Sequence, residues 1–344
     1  MFANSSRNAL ADQNDKNFMA TWYKVCIIIL MILSLILNLA VVAQYFYFRK
    51  KFHRNVLFKR GLICSLACSD ALQSSLGFSL QLSSMTNGFR PALCQASAFI
   101  VTLFAYASIS TIVILNIEKC IHICFPWLKI KMLASRSTCQ AFFICFAWGY
   151  AIFWAIFPLF KWNDYSLFVF SSCTINWDTG DKIHRNFVIC IMVFCFILPF
   201  VLSIVCNILC KRTLQLMKRY ARAHFGPHSA EVIQNAKAES KTAHITWVMA
   251  MATLFAWTPY SVLSLLRFCS AKFNSDVYET LGQISSIIAK SSCMLNPIIY
   301  AFEVKAFRQE LRTMPFEIYR SFAGNVTRNT KASANVSNIS GTEL

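Results

Sequence analysis

The chain has 344 residues, 56% of them hydrophobic and only 14% charged, a balance that ordinary soluble domains do not show. Seven apolar stretches of ~25 residues, each long enough to cross a bilayer, take up about half of it and leave no room for a large soluble domain. The formal net charge is +18, but the Lys and Arg gather between alternate apolar stretches, so the charge reads as membrane topology and not as a nucleic-acid-binding surface.

The expected fold is an all-α membrane protein, a seven-transmembrane-helix bundle with a short amphipathic cytoplasmic helix. Residues 1–23 are polar and form an N-terminal tail containing Asn4-Ser5-Ser6, a glycosylation acceptor on an extracellular face. They show no cleavable signal pattern, and the first apolar run is too long for a signal h-region. A first helix is expected over about 24–48, with Asn38 among Leu and Ile. Arg49, Lys50, Lys51, Arg54, Lys59 and Arg60 follow and place that loop in the cytoplasm. The second helix, about 57–83, contains Leu66-Ala67-Cys68-Ser69-Asp70. The third, about 91–123, runs from Cys94 to Glu118-Lys119-Cys120, and Lys129, Lys131 and Arg136 make the next loop cytoplasmic. The fourth, about 138–160, holds Trp148 and Pro158; an outer loop over 161–185 follows, with Cys173 in it. The fifth, about 186–212, holds Pro199, and the basic loop from Lys211 to Lys241 extends helices five and six into the cytoplasm. The sixth, about 243–267, contains Trp257-Thr258-Pro259-Tyr260. The seventh ends the transmembrane domain at about 302, an amphipathic cytoplasmic helix covers 303–317, and a disordered tail rich in Ser and Thr covers 318–344. The Lys/Arg pattern puts the N-terminus outside and the tail inside, as in a multi-pass plasma-membrane protein; the sequons at Asn325 and Asn338 then face the cytosol and stay bare. Of the 15 cysteines, most lie in apolar stretches, where free Cys behaves as a small hydrophobe, so they do not form a disulfide framework.

Lys290 falls near the middle of the seventh stretch. An ammonium there costs roughly 3 kcal/mol or more and lies too deep to reach the interface. Such a lysine is either paired with a buried carboxylate or serves as a desolvated nucleophilic amine, suited to a Schiff base with an aldehyde. Six residues later comes Asn296-Pro297-Ile298-Ile299-Tyr300, and then Phe307-Arg308 in the amphipathic segment.

Asn-Pro-x-x-Tyr at the end of a seventh helix resembles the class A G-protein-coupled receptors. Lys290, six residues before Asn296 and followed by Ser291, resembles the lysine that carries retinal in animal opsins. The resemblance covers about residues 24–313. It implies retinal on Lys290, 11-cis in the dark, photoisomerisation, outward movement of helix six, and activation of a heterotrimeric G protein, with receptor kinase and arrestin acting on the tail. By residue-level match the pocket would contain Ser97, Thr102, Ala105, Trp177, Phe196, Trp257, Tyr260 and Ser286. Asn38, Asp70 and Asn296 match a polar network, in which a sodium ion sits near the acid in some receptors. Cys94 and Cys173 both face the oxidising side, which favours a disulfide over two free thiols. Pro259 removes a backbone hydrogen bond mid-helix and lets helix six bend; Trp257 is then either a switch packed on a ligand or a core aromatic beside a packing kink.

Two departures from the opsin pattern bear on function. Glu118-Lys119-Cys120 stands where the family has Glu/Asp-Arg-Tyr, and Lys lacks the planar fork of Arg. Asn207 stands where opsins commonly have Tyr, while Glu239, 18 residues before Trp257, matches the helix-six acid. A resting lock of Lys119 with Glu239 or Glu118 and weakened coupling are therefore expected. The second departure is charge balance, because a protonated Schiff base is a buried cation and needs an anion. The family's three carboxylate positions are Ser97, Leu167 and Gln81 here. Glu279 is ~16 Å along the helix from Lys290. Gln81, Ser97, Gln283 and Ser286 are polar but uncharged, so the expected site holds chloride or an unprotonated nitrogen, with Asp164 and Asp178 of the outer loop as the remaining option. Two other readings stay open, a retinal photoisomerase and a class A receptor whose diffusible ligand brings an acid to Lys290. The chain is otherwise expected not to be an enzyme and to hold no metal beyond that sodium. Ion pumping is not expected, since a proton relay of membrane acids is absent: only Asp70 and Glu118 lie within the membrane run.

Overall fold

The computed structural model describes residues 2–48, 54–86, 90–169, 172–177, 181–224, 226, 229–269, 275–303 and 307–314. Side chains are described from residue 18 onward, apart from those at 54–59, 136, 168–169, 172, 229 and 275–276. The helices are α1 (Phe2–Phe48), α2 (Arg54–Leu72), α3 (Phe78–Thr86), α4 (Pro91–Cys124), α5 (Pro126–Ala134), α6 (Arg136–Ile156), α7 (Lys182–Ile191), α8 (Leu198–His224), α9 (Ser229–Phe268) and α10 (Ser275–Glu303), with a further helix over 307–314. A π-turn at Gln73–Gly77 joins α2 to α3, and another at Met192–Ile197 joins α7 to α8, so each pair makes one span. The polar N-terminal stretch is itself helical, and α1 enters the bundle earlier than the boundary expected at 24: Tyr23 is 1% exposed.

Five described helices are long and apolar enough to cross a membrane: Phe18–Phe48, Pro91–Cys124, Ser137–Phe160, Lys182–His224 and Ala230–Phe268. The second and seventh spans fall short because they carry Asp70, Gln73, Ser74 and Gln81, or Gln283, Ser285, Ser286, Lys290 and Asn296, all but Lys290 buried. Polar groups in a membrane bundle face its interior, so the two least apolar spans mark where the site lies.

The spans form a ring around α4. The apolar window of α4 is 72% buried, against 28–39% for the other four apolar spans, and α4 packs against α2, α6, α8 and α9. The ring closes where α10 packs on both α9 and α1. At Gly77 an added Cβ would lie 2.9 Å from Val101, so glycine permits the close approach of the second span to α4. Ile29, Ile32, Ile36, Phe142, Phe146, Phe153, Val205 and Ile208 project outward. An apolar surface on that scale suits acyl chains and not water.

The loop expected over 161–185 contains secondary structure that the fold expectation lacked. Strands β1 (Tyr165–Val169) and β2 (Ser172–Ile175) form an antiparallel hairpin with Tyr165 opposite Ile175 and Leu167 opposite Cys173. Cys173 is bonded to Cys94 at the start of α4, with Cα atoms 5.3 Å apart. The hairpin is thereby tied over the outer end of the bundle, where Trp154, Tyr165, Trp177 and Phe187 pack together.

At the other end, Phe307 packs on Tyr300 with ring centroids 6.0 Å apart. Arg60 Nη1 and Nη2 donate to the Glu310 carboxylate at 2.6 and 2.8 Å, and Gln44 Nε2 donates to it as well. The expected amphipathic helix over 303–317 is seen at 307–314, held by the first two spans; residues 304–306 and the tail lie outside the described residues. Asn4, in the helical N-terminal stretch, lies outside the described side chains.

Candidate functional site

Gln283, Ser286 and Lys290 succeed one another at spacings of three and four and share one face of α10. That face meets α1 and the α2–α3 span. Lys290 Nζ donates to Ser286 Oγ at 2.5 Å and to Tyr23 Oη at 3.4 Å. Tyr23 Oη and Ser286 Oγ are 3.0 Å apart, and Gln81 Nε2 donates to Tyr23 Oη at 3.4 Å. The ammonium also lies 6.0 Å from the centre of the Tyr23 ring, at the limit of cation–π attraction. Among the described residues no carboxylate contacts the amine. Asp164 instead pairs with Lys161 at 3.0 Å and lies 3.8 Å from His184, out in the loop. Asp178 lies outside the described residues.

The amine opens on a cavity of ≈ 70 Å³ whose walls include Gln81, Thr102, Ala105, Trp257, Tyr260 and Ser286. Its remaining lining was not foreseen: Gln73, Ala98, Val101, Tyr106 and Ala289 of the helices, and Cys173, Thr174 and Ile175 of β2 as its roof. The roof is bonded down, since Tyr260 Oη is 2.7 Å from Thr174 Oγ1 and accepts from Trp177 Nε1 at 3.2 Å.

Four expected pocket or anion-site residues do not line the cavity: Ser97, Trp177, which reaches the site only through Tyr260, Phe196 and Gln283. Ser97 Oγ donates to the Cys94 carbonyl of its own helix at 2.9 Å, so its hydroxyl is not offered to the cavity. Phe196 packs on Phe200 at 5.2 Å and lies inside Met192–Ile197, where the π-turn breaks the 3.6-residue spacing. Gln283 is 0% exposed and its amide has no partner among the described residues, but it does not line the cavity. Tyr23 is the main omission. It was left in the polar tail because the residues before it are hydrophilic, and its place beside Lys290 depends on a contact 267 residues away.

Below the cavity Trp257 Nε1 donates to Ser292 Oγ at 3.2 Å. A second, smaller cavity of ≈ 10 Å³ lies between Trp257, Asp70, Ser108, Ser292 and Asn296. Asp70 accepts from Ser108 Oγ at 2.5 Å and from Asn296 Nδ2 at 3.0 Å. Asn38 does not reach the acid as expected. Its amide donates to the Cys293 carbonyl at 2.9 Å and, among the described residues, is linked through Ser34 and Ser74 to the backbone carbonyl of Asp70.

At the cytoplasmic end Lys119 Nζ is 3.6 Å from Glu118 Oε2, and His122 Nδ1 is 2.8 Å from Glu118 Oε1. Of the two partners expected for Lys119, the structure therefore supplies Glu118. Glu239 makes no described ion pair, although it shares with Lys119 and His122 the lining of a cavity of ≈ 380 Å³. His122 was not foreseen, although a histidine four residues after a glutamate was the available signal. Tyr300 lines the same cavity, and its buried hydroxyl has no partner among the described residues. Pro297 continues α10 without breaking it.

The description "7 transmembrane receptor (rhodopsin family)" matches residues 37–300. Among curated proteins the chain is similar to pinopsin of Gallus gallus, 29% identical over 259 residues, covering 74% of this chain and 70% of that one. It is also similar to Opsin-VA of Rutilus rutilus, 27% identical over 300 residues, covering 85% and 74%. Among solved structures, squid rhodopsin superposes with a TM-score of 0.73 at 24% identity, over 88% of this chain and 87% of that one; this likeness concerns the fold.

Proposed function

Because the chain belongs to the rhodopsin family of seven-transmembrane receptors, we propose that its light-sensing, G-protein-coupled activity runs through retinal carried on Lys290, 11-cis in the dark. The carrying observation is Lys290 itself, a half-buried amine midway along the seventh span whose Nζ reaches Ser286 and Tyr23 at one wall of a cavity lined mostly by aromatic, aliphatic and small side chains. An amine suits an aldehyde, and Trp257, Tyr260, Val101 and Ile175 suit an apolar polyene. Retinal, when bound, supplies the absorption of light and a cis–trans change of shape. The cavity of ≈ 70 Å³ is small beside the ~300 Å³ of the smaller ligand pockets, so side chains give way on loading.

The chain's own residues do the rest. Tyr23 and Ser286 orient the lysine nitrogen. Gln81, Tyr23 and Ser286 offer donors that can hold chloride beside it but carry no charge of their own; the alternative is a nitrogen that stays unprotonated. Trp257 and Tyr260 touch the space where the shape changes, and α9 bends at Pro259 in response. Asp70, Ser108 and Asn296 hold the spans together below, with oxygen donors and room for one sodium ion. Lys119 and Glu118 form the resting contact at the face a heterotrimeric G protein would read. The tail over 318–344 would serve receptor kinase and arrestin. The N-terminus, with Asn4 glycosylated, lies outside the plasma membrane and the tail inside. The relatives are receptors and do not favour a retinal photoisomerase.

Reconstitution with 11-cis retinal tests this reading. We expect a pigment whose spectrum changes on illumination and is absent in Lys290→Ala, although that variant still inserts. A pigment formed normally by Lys290→Ala, or no pigment with the intact chain, rejects it; the second outcome leaves a receptor for a diffusible acid.

A further inference from the structure

Two pairs of cysteines meet where the last turns of α4 pack on the middle of α8. Cys120 and Cys124 stand four residues apart on α4, and Cys206 and Cys210 stand four apart on α8. This spacing puts each pair on one helix face, and the two faces pack together in one cluster. The sulfurs of Cys120, Cys124 and Cys210 all lie within 4.8 Å of one another, and the Cys120–Cys124 gap is 4.0 Å. Cys120, Cys206 and Cys210 are buried, while Cys124 is partly exposed, which leaves a way in from the cytoplasmic side.

We propose that Cys120, Cys124 and Cys210 form a three-thiolate site for a soft d10 cation, Zn²⁺ or Cu⁺, that staples α4 to α8. The distances suit a shared cation. Sulfurs at about 2.3 Å from a tetrahedral zinc lie ~3.8 Å apart, close to the 4.0 Å between Cys120 and Cys124. A disulfide needs ~2.05 Å, far less than that gap. Buried cysteine in a membrane span is ordinarily a small hydrophobe, and Cys64 and Cys68 on α2 show the difference. They have the same four-residue spacing, yet among the described residues they form no such group with a third ligand, whereas the α4 pair does. Binding forms metal–sulfur bonds and releases the thiol protons to water, with no change of oxidation state.

The test uses the full-length protein in lipid nanodiscs, purified without a polyhistidine tag. It measures metal content after dialysis against Zn²⁺, affinity by competition with a chromophoric chelator, and zinc–sulfur distances by X-ray absorption. We expect one Zn²⁺ per chain with sulfur ligands at ~2.3 Å, and a loss of affinity of at least ~10-fold in Cys124→Ser and in Cys210→Ser. Cys68→Ser should bind as the parent does. Cys124 is the partly exposed ligand, so its serine variant disturbs packing least, and an unchanged retinal spectrum shows that each variant is folded. A parallel titration with Cu⁺ under reducing conditions identifies the cation, and binding of either through these sulfurs upholds the site. Failure to retain either cation, binding unchanged in Cys120→Ser/Cys210→Ser, nitrogen or oxygen ligation in place of these sulfurs, or a Cys120–Cys124 disulfide in protein taken from cells would overturn it.

Discussion

Tyr23 Oη lies 3.4 Å from Lys290 Nζ, joining the first span to the seventh at the point where an aldehyde would be held. The phenol also stands 3.0 Å from Ser286 Oγ. Removing it leaves Ser286 as the amine's one remaining hydroxyl contact. Tyr23→Phe should still take up retinal, with a spectrum displaced towards the ultraviolet and a stability cost of about 1 kcal/mol. Absorption spectra and thermal melts of the two proteins check this; identical spectra would show that the phenol does not act on the nitrogen.

With no described carboxylate at the amine, the pigment should depend on a diffusible anion. Replacing chloride by a large non-halide anion at fixed pH should move absorption towards the ultraviolet, or the pigment should absorb there from the start. Asp164→Asn should leave the spectrum unchanged, because Asp164 is engaged with Lys161 at 3.0 Å. A visible pigment indifferent to the anion and abolished by Asp178→Asn would place the counter-charge in the loop.

The cytoplasmic contact of Lys119 with Glu118, 3.6 Å, gives an ordered pair of expectations. Glu118→Gln should raise nucleotide exchange in the dark severalfold, and Glu239→Gln should raise it less, because Glu239 makes no described ion pair. Lys119→Arg should alter light-driven exchange, since the guanidinium can fork across a carboxylate, and should leave the dark spectrum alone. A shifted spectrum in Lys119→Arg would contradict the separation between this end and Lys290.

Cys94→Ser and Cys173→Ser should reduce mature protein to the same extent, since both break one bond that closes a loop of 79 residues. Each should cost about 2–5 kcal/mol. Yields and thermal stabilities measure this, and unequal losses would mean that one cysteine acts outside the bond.

The spans, the bonded cysteines and the central lysine were legible in the sequence because long apolar runs, Lys/Arg asymmetry and an isolated intramembrane charge are strong local signals. Residues whose role depends on another span were not. Tyr23 sits after a polar stretch, and nothing near it in sequence points to Lys290. Phe196 was misplaced because a regular helical count runs through Met192–Ile197, where the wider π-turn rotates the rest of the span about its axis. The hairpin over the cavity was hidden because its β-branched residues, Val169, Thr174 and Ile175, are few and stand in a loop. Gln44 and Arg60 look like an ordinary polar residue and a loop cation until Glu310 is folded back onto them.

Trp257 borders both the cavity at Lys290 and the smaller one at Asp70. The indole, with Gln73 and Ala105, is thus the partition between two compartments, the upper holding the Lys290 amine and the lower the Asp70 carboxylate. Shaving it to a small side chain would merge them into one hydrated passage, along which protons could run between Lys290 and Asp70. Keeping a charge at Lys290 apart from Asp70 then rests largely on the bulk of that ring, the largest of the three side chains between them.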